Sequence, residues 1–250
     1  MSPLFQLLLL ASLGSFVGLL GGIVMLSSKK WSNVLEHHAI SFAAGVMITV
    51  ALVGILPESV EFIDHEAYVA VLITFLATFL FERLFLGIHH HDEHEGCASH
   101  TSSIPSVLLG DTIHNFIDGI AIGVSFLVSP GLGLVTAIST FLHEVPHEIA
   151  DFGIFLKAGW KKSRIILVNI ISAAVTLVGA LTIYFFPVSD YLIGILLAVA
   201  AGIFLYLGAS DFLPQTRDHD HEGSKIKGIL PLILGALIML AVMEIVPHGH

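Results

Sequence analysis

Apolar residues fill eight stretches of this chain, and short polar or proline-bearing segments separate them. A helix needs about 20 predominantly apolar residues to span a membrane, and each stretch is close to that length. The pattern predicts an all-α polytopic membrane protein with eight transmembrane helices in a single domain, residues 1–250. The predicted spans are approximately 5–26, 39–56, 68–86, 107–128, 132–155, 165–186, 191–213 and 229–246.

Two of these stretches share a short pattern. Ala43-Ala44-Gly45 precedes Leu56-Pro57 in the second span, and Ala200-Ala201-Gly202 precedes Leu213-Pro214 in the seventh, with the same offset. The two spans run in opposite directions across the membrane. Spans one to three and six to eight are therefore predicted to form an inverted repeat, as in many secondary transporters.

Composition and charge agree with this prediction. The chain is 55% hydrophobic and 12% charged, whereas soluble domains carry about 25% charged residues. With eight spans, all ten basic residues fall on one side of the membrane. The positive-inside rule makes that side cytoplasmic and places both termini outside. The single cysteine, Cys97, excludes an intramolecular disulfide and a four-cysteine zinc module.

The fourth and fifth predicted spans carry residues that are costly in hydrocarbon and that usually mark function there. Helical spacing puts each set on one face, and histidine with carboxylate is ligand chemistry for a divalent transition metal. The first set comprises Asp111, His114, Asn115 and Asp118; the second comprises His143, Glu144, His147 and Asp151, with Glu148 beside it.

The depth of these residues can be counted from the shared outer end of the two spans. Asp118 lies level with His143, and His114 lies level with His147, one helical turn or about 6 Å away. Glu144 falls between the two layers. Because so short a connection makes the helices antiparallel neighbours, we expect the two sets to face each other as a metal site near the membrane centre.

A histidine-rich cytoplasmic loop is predicted over residues 87–106. A short histidine tract suggests metal binding without fixed geometry, and a polar loop without that role is the alternative. Asp111 and Asp151 are further accessory candidates, because they continue the polar path toward the cytoplasm. The accessory histidines are His89, His90, His91, His94 and His100.

The motifs H-N-F-I-D-G-I-A-I-G (114–123) and H-E-V-P-H-E-I-A-D-F-G (143–153) resemble the signature fourth and fifth helices of the Zrt/Irt-like (ZIP) metal transporters, in the branch with H-E-x-P-H-E. The resemblance implies a 3+2+3 arrangement of helices, a homodimer, and joint movement of spans one, four, five and six. Some members also supply a carboxylate from the sixth helix, where this chain offers Asn169, Ser172 and Thr176. By resemblance, the ligand positions are His114, Asn115, Asp118, His143, Glu144 and His147, with Glu148 flanking them.

Two functions of other classes also fit part of the pattern. His143-Glu-Val-Pro-His147 satisfies the H-E-x-x-H motif of zinc proteases, but a protease does not use the acids and the histidine of the fourth span. A metal sensor that does not transport would need the same ligands. The polar residues that continue to Asp111 and Asp151 favour a path over a closed sensor.

The sequence therefore predicts a non-enzymatic importer of Zn²⁺ in the plasma membrane. Imidazole ligands favour Zn²⁺ over the harder Mn²⁺, and Fe²⁺ and Cd²⁺ stay open. The chain has no G-x-x-x-x-G-K-[ST] motif, so ATP is not the direct driver. The expected partners are divalent metal ions, the lipid bilayer and a second copy of the chain, and nucleic acid is not among them.

Overall fold

Helices follow the apolar stretches of the sequence closely. The computed structural model describes residues 1–20, 23, 29–86, 104–214 and 226–246, and every regular element with described bounds is helical. Three helices continue into π-helical turns at Val50–Ile55, Glu82–Leu86 and Leu207–Phe212. The α-helices are α1 (Pro3–Ser15), α2 (Lys29–Thr49), α3 (Leu56–Ile63), α4 (Glu66–Phe81), α5 (Ile104–Val128), α6 (Pro130–Lys157), α7 (Lys162–Phe185), α8 (Asp190–Tyr206) and α9 (Ile226–Ile245).

Five helical segments in the described ranges are long and apolar enough to cross a membrane. Two further apolar helices, Pro3–Ser15 and Ile229–Ile245, are shorter. Helix α6 is also long enough, with 28 residues, but it carries two histidines and three carboxylates, His143, Glu144, His147, Glu148 and Asp151. The protein is thus an all-α membrane protein, and the count of eight spans stays a prediction. The five segments are His38–Ile63, Glu66–Leu84, Val107–Val128, Lys162–Phe185 and Asp190–Phe212.

The second predicted span extends further than the sequence pattern indicated. Glu58 and Glu61 were expected in a loop outside the membrane, but α3 continues the helix to Ile63. Pro57 lies in the first turn of α3, where the missing N–H of proline costs little. The preceding π-helical turn accommodates it, because the N–H of Leu56 donates to the carbonyl of Ala51, five residues back.

An equivalent π-helical turn lies after α8. The N–H of Leu213 donates to the carbonyl of Gly208, so each of the two turns ends directly before a Leu-Pro pair. These are the segments in which the sequence repeat was found. Single π-helical turns inside long helices are frequent at functional sites, and the second one brings Phe212 against the ring of His147.

The helices pack in two groups. One group contains α1, α5, α6 and α7, and the other contains α2, α3, α4, α8 and α9. The groups meet where α2 packs on α6 and where α5 packs on α8. The predicted metal ligands of the fourth and fifth spans all lie on the first group, and His143 and His147 face the second group at Phe204 and Phe212.

Glycines set the closest contacts within each group. A Cβ atom on Gly119 of α5 would overlap the backbone carbonyl of Thr176 of α7, and one on Gly179 would overlap the carbonyl of Phe116. Gly45 and Gly235 make the same kind of contact between α2 and α9. Small residues are needed wherever two helix backbones approach this closely.

Two tyrosines join α4 to α8. The hydroxyl of Tyr191 donates to Glu66 Oε2 at 3.0 Å, and the hydroxyl of Tyr206 donates to Glu82 Oε2 at 2.6 Å. The first pair lies at the start of both helices, and the second lies at the end of both. Most of the α4 surface is exposed, and these two bonds connect it to α8.

Candidate metal centre

Helices α5 and α6 hold the polar residues in register because a single residue, Ser129, connects them. Ser129 caps α6 by accepting a hydrogen bond from the N–H of Leu132 at 3.0 Å. One turn further in, Thr136 Oγ1 donates to Ser125 Oγ at 2.9 Å across the two helices. The two helices are therefore aligned from their shared end down to the histidines.

Four residues bring metal-ligating atoms together between α5 and α6. One ligand atom from each of them lies within 4.8 Å of all the others. His143 Nε2 lies 3.0 Å from Asp118 Oδ2, and His114 Nε2 lies 3.2 Å from Glu144 Oε1. We call His114, Asp118, His143 and Glu144 the central group.

The two layers counted from the sequence are visible in these contacts. Asp118 meets His143 in one layer, and in the next the ring of His147 stacks on that of His114 with centroids 4.7 Å apart. Phe204 packs against His143 at 5.3 Å, and Phe212 packs against His147 at 5.2 Å. The aromatic rings exclude water on the side of α8, which strengthens electrostatic interactions in the centre.

Ligand atoms in the central group have unused binding capacity. Asp118 and His143 are fully buried, yet Asp118 Oδ1 and His143 Nδ1 have no hydrogen-bond partner in the described part of the chain. Buried polar atoms are normally paired, and two buried carboxylates are costly without a compensating cation. A divalent ion bound by two imidazoles and two carboxylates would provide a partner for buried ligand atoms and would compensate the negative charge.

Asn115, which the resemblance placed among the ligands, is held in a hydrogen-bond network with α7. Its Nδ2 donates to Asp111 Oδ1 at 3.0 Å and to Ser172 Oγ at 3.3 Å. Its Oδ1 accepts from Thr176 Oγ1 at 3.0 Å. The amide thereby ties α5 to α7 and fixes the position of Asp111. The i, i+4 spacing of Ser172 and Thr176 was the signal for this shared face.

Asp111 and Glu148 lie one helical turn from the central group along the chain, and Asp151 lies two turns from it. Glu148 is 3% exposed, Asp151 is 8% exposed and Asp111 is 9% exposed. Glu148 lies within electrostatic reach of Glu144, Asp111 and Asp151. The accessory histidines, His89, His90, His91, His94 and His100, lie outside the described residues.

Helix α1 contributes a contact that sequence reasoning missed. A Cβ atom on Gly14 would lie 3.1 Å from Thr140 Cγ2, and one on Gly18 would lie 2.7 Å from Glu144 Cβ. The two glycines form a G-x-x-x-G pattern, which is typical of close helix contacts in membranes and was the available signal. The backbone of α1 and the turn after it thus packs directly behind Glu144.

Comparison with known proteins identifies the family of the chain. A sequence profile described as "ZIP Zinc transporter" matches residues 102–243, which is more than half of the chain. The chain belongs to the ZIP zinc transporter family. The matched region contains α5 to α8 and most of α9, and hence the entire central group. ZIP family members are transporters and not enzymes, in agreement with the preference for transport over intramembrane proteolysis.

Individual family members share substantial sequence identity with the chain. It is 40% identical over 148 residues to Zinc transporter ZIP10 of Mus musculus, which is 54% of this chain and 18% of that protein. It is 34% identical over 137 residues to Zinc transporter foi of Drosophila melanogaster, 54% of this chain and 19% of that protein. It is 41% identical over 108 residues to Zinc transporter ZIP4 of Homo sapiens, 43% of this chain and 17% of that protein. The matched region is thus less than a fifth of the length of each of these relatives.

Proposed function

We propose that this ZIP family protein is a secondary transporter that carries Zn²⁺ across the membrane into the cytoplasm. The observation that supports the proposal most is the central group itself, two imidazoles and two carboxylates buried between α5 and α6. A purely structural pairing would not need unpartnered ligand atoms at the membrane centre. The relatives named above are zinc transporters by name, which favours Zn²⁺ as the cargo.

In the proposed mechanism, the ion exchanges its ligands from one layer to the next. Asp118 and His143 bind the ion in the first layer. Glu144 and His114 then bind it as it moves to the second layer, where the imidazole of His147 is a further ligand. The carboxylates offset the charge of the dication in surroundings of low polarity. His143 and His147 favour Zn²⁺ over Mn²⁺, while Fe²⁺ and Cd²⁺ are secondary candidates.

The order of the polar residues along the two helices supports inward release. Asp118 and His143 form the outer layer, and His114 lies one turn along α5. Asp111 and Asp151 lie further along α5 and α6 and are buried, with 9% and 8% exposure. They continue the polar path toward the end of the two helices that the positive-inside rule assigns to the cytoplasm.

The packing in two groups supports a moving unit made of α1, α5, α6 and α7. All the proposed ligands lie on this group, so its displacement relative to α2, α4, α8 and α9 would carry the ion with it. The matching π-helical turns after α2 and α8 support an inverted repeat, and eight spans with both termini outside complete the proposed topology. A homodimer in the plasma membrane is part of the same proposal.

The test of the proposed function is metal uptake by proteoliposomes. The purified protein should take up Zn²⁺, and the initial rate should be compared across Zn²⁺, Cd²⁺, Fe²⁺ and Mn²⁺, with and without a pH gradient. Empty liposomes serve as the control. Zinc binding by the protein without any flux would support a sensor instead, and neither binding nor flux would remove the central group as a metal site.

The proposed topology predicts opposite accessibility for two exposed positions. His65 precedes α4 and Ser163 lies at the start of α7, and both are exposed. In a Cys97→Ser background, a cysteine at position 65 should react with an impermeant thiol reagent added outside the cell. A cysteine at position 163 should react only after the membrane is permeabilised. Labelling of both from outside would contradict the predicted span count.

A further inference from the structure

Ser139 of α6 carries a buried hydroxyl group that no hydrogen bond explains. The side chain is fully buried, and its Oγ has no hydrogen-bond partner among the described residues. Hydroxyl side chains in apolar helices often donate to the backbone carbonyl four residues back, as Ser15 does to Ala11 and Thr112 does to Leu108. A buried polar group without a partner is destabilising, so the hydroxyl of Ser139 points to a role other than stability.

Ser139 lies on the face of α6 that packs against the group of α2, α3, α4, α8 and α9. Val135 and Leu132 lie one and two turns before it, and His143 lies one turn after it, so the four side chains share one face. Leu132 and Val135 belong to the same apolar core cluster as residues of α2, and α6 packs directly on α2. His143 packs against Phe204 of α8. Ser139 therefore lies at the boundary between the two groups of helices.

The next residue, Thr140, has a similar hydroxyl on a different face. It is also buried, and its Oγ1 also has no hydrogen-bond partner within the described ranges. Its side chain packs against α1, where a Cβ atom on Gly14 would lie 3.1 Å from Thr140 Cγ2. Helices α1 and α6 belong to the same group. Thr140 is therefore enclosed within that group, whereas Ser139 lies at its edge.

The contact between α5 and α6 is closed on the outer side of the central group. Thr136 Oγ1 donates to Ser125 Oγ, and a Cβ atom on Gly133 would lie 2.9 Å from Phe126 Cα. Both helices belong to the proposed moving unit, so this contact keeps its packing when the unit moves. An ion that enters from outside would therefore reach the central group along the boundary between the two groups, where Ser139 lies.

We propose that Ser139 lines the route by which Zn²⁺ enters from outside, and that its hydroxyl oxygen accepts a hydrogen bond from the hydration water of the ion. The inference rests on the proposed function, because it needs an ion that crosses the membrane from the outer side. A charged ion loses favourable interactions with water along an apolar boundary. A neutral hydroxyl, which donates and accepts hydrogen bonds, reduces this cost without holding the ion as the carboxylates and imidazoles of the central group do.

The first measurement compares Ser139→Ala with Thr140→Val in zinc uptake by proteoliposomes and in thermal unfolding. Each change removes a buried hydroxyl without a partner, so each variant should unfold at the wild-type temperature or a higher one. Ser139→Ala should nevertheless lower kcat/KM for Zn²⁺ about fivefold, mainly through KM, since it removes one hydrogen bond. Thr140→Val is the matched control and should keep the wild-type kcat and KM.

The second measurement tests the route directly in cells. In a Cys97→Ser background, the cysteine of Ser139→Cys should react with a small impermeant thiol reagent that is added outside during zinc uptake, and the reaction should block uptake. In this conformation Ser139 is fully buried, so the reaction requires the boundary to open on the outer side. The cysteine of Thr140→Cys should stay unmodified under the same conditions.

The outcomes separate this inference from the proposed function. A wild-type KM for Ser139→Ala would overturn the inference alone, as would an equal loss of uptake in Ser139→Ala and Thr140→Val. A lower unfolding temperature for Ser139→Ala would assign the hydroxyl to the stability of the fold and would also overturn it. No uptake by the wild type would contradict the proposed function and the inference together. If Ser139→Cys does not fold, the comparison of Ser139→Ala with Thr140→Val decides.

Discussion

Changing Asp118 to asparagine is expected to abolish zinc uptake while the protein remains folded and inserted. Asp118 Oδ2 lies 3.0 Å from His143 Nε2 and 3.7 Å from His114 Nε2, so it touches both histidines of the central group. Asparagine keeps the shape and one oxygen but removes the charge that offsets the dication. Because outer-shell changes already cost about 10–100-fold in metal affinity, we expect the uptake rate in proteoliposomes to fall by more than about 100-fold.

The matched control for this variant is Asp190→Asn. Asp190 is the first residue of α8 and is exposed, so the same chemical change there should leave uptake near the wild-type rate. Both variants should elute from size exclusion as the wild type does. Near-normal uptake by folded Asp118→Asn would show that zinc does not pass through the central group.

A single methyl group at Gly119 is expected to destabilise the whole protein. In an ordinary helix interior, Gly→Ala stabilises by about 1 kcal/mol. Here the new Cβ would overlap the backbone carbonyl of Thr176, and neither backbone can move away without separating α5 from α7. Overpacking of this kind typically costs about 1–3 kcal/mol. This cost should exceed the gain in helix propensity, so Gly119→Ala should lower the stability of the protein.

The measurement is the thermal unfolding midpoint of Gly119→Ala in detergent, together with its zinc uptake. We expect a clearly lower midpoint and reduced uptake, because Gly119 follows Asp118 and any shift of α5 displaces the ligand. As a control, Leu109→Ala changes an exposed position on the same helix, where the side chain is 58% exposed, and should unfold close to the wild type. An unchanged or higher midpoint for Gly119→Ala would mean that α5 and α7 do not cross so closely.

Much of the helical arrangement could be predicted because its cause is local. Apolar stretches of spanning length give helices, and helical periodicity placed Asp118 beside His143 and His114 beside His147. A connection of one residue at Ser129 left no freedom to slide α5 along α6. The register of the central group therefore followed from counting residues.

Other features depended on long-range contacts that no local pattern reports. The helix continues past Pro57 because a π-helical turn shifts its hydrogen bonds, whereas a proline in sequence normally suggests an end. Asn115 could be placed on the ligand face, but its hydrogen bonds depend on Ser172 and Thr176 from another helix. The G-x-x-x-G pattern of Gly14 and Gly18 indicates a close helix contact, but it does not show that the partner of Gly18 is Glu144 of α6.

The hydrogen bonds of Tyr191 and Tyr206 restrict how the protein can deform. They attach α4 to α8 at two points fifteen residues apart along α8, at Glu66 and Glu82. Because the two hydrogen bonds are far apart, neither helix can slide along the other or rotate about a single contact unless one of the bonds breaks. Helices α4 and α8 are thus expected to move as one rigid unit. If α1, α5, α6 and α7 move as proposed, the contacts that change would be those of α2 with α6 and of α5 with α8. The packing of α4 on α8 would stay the same.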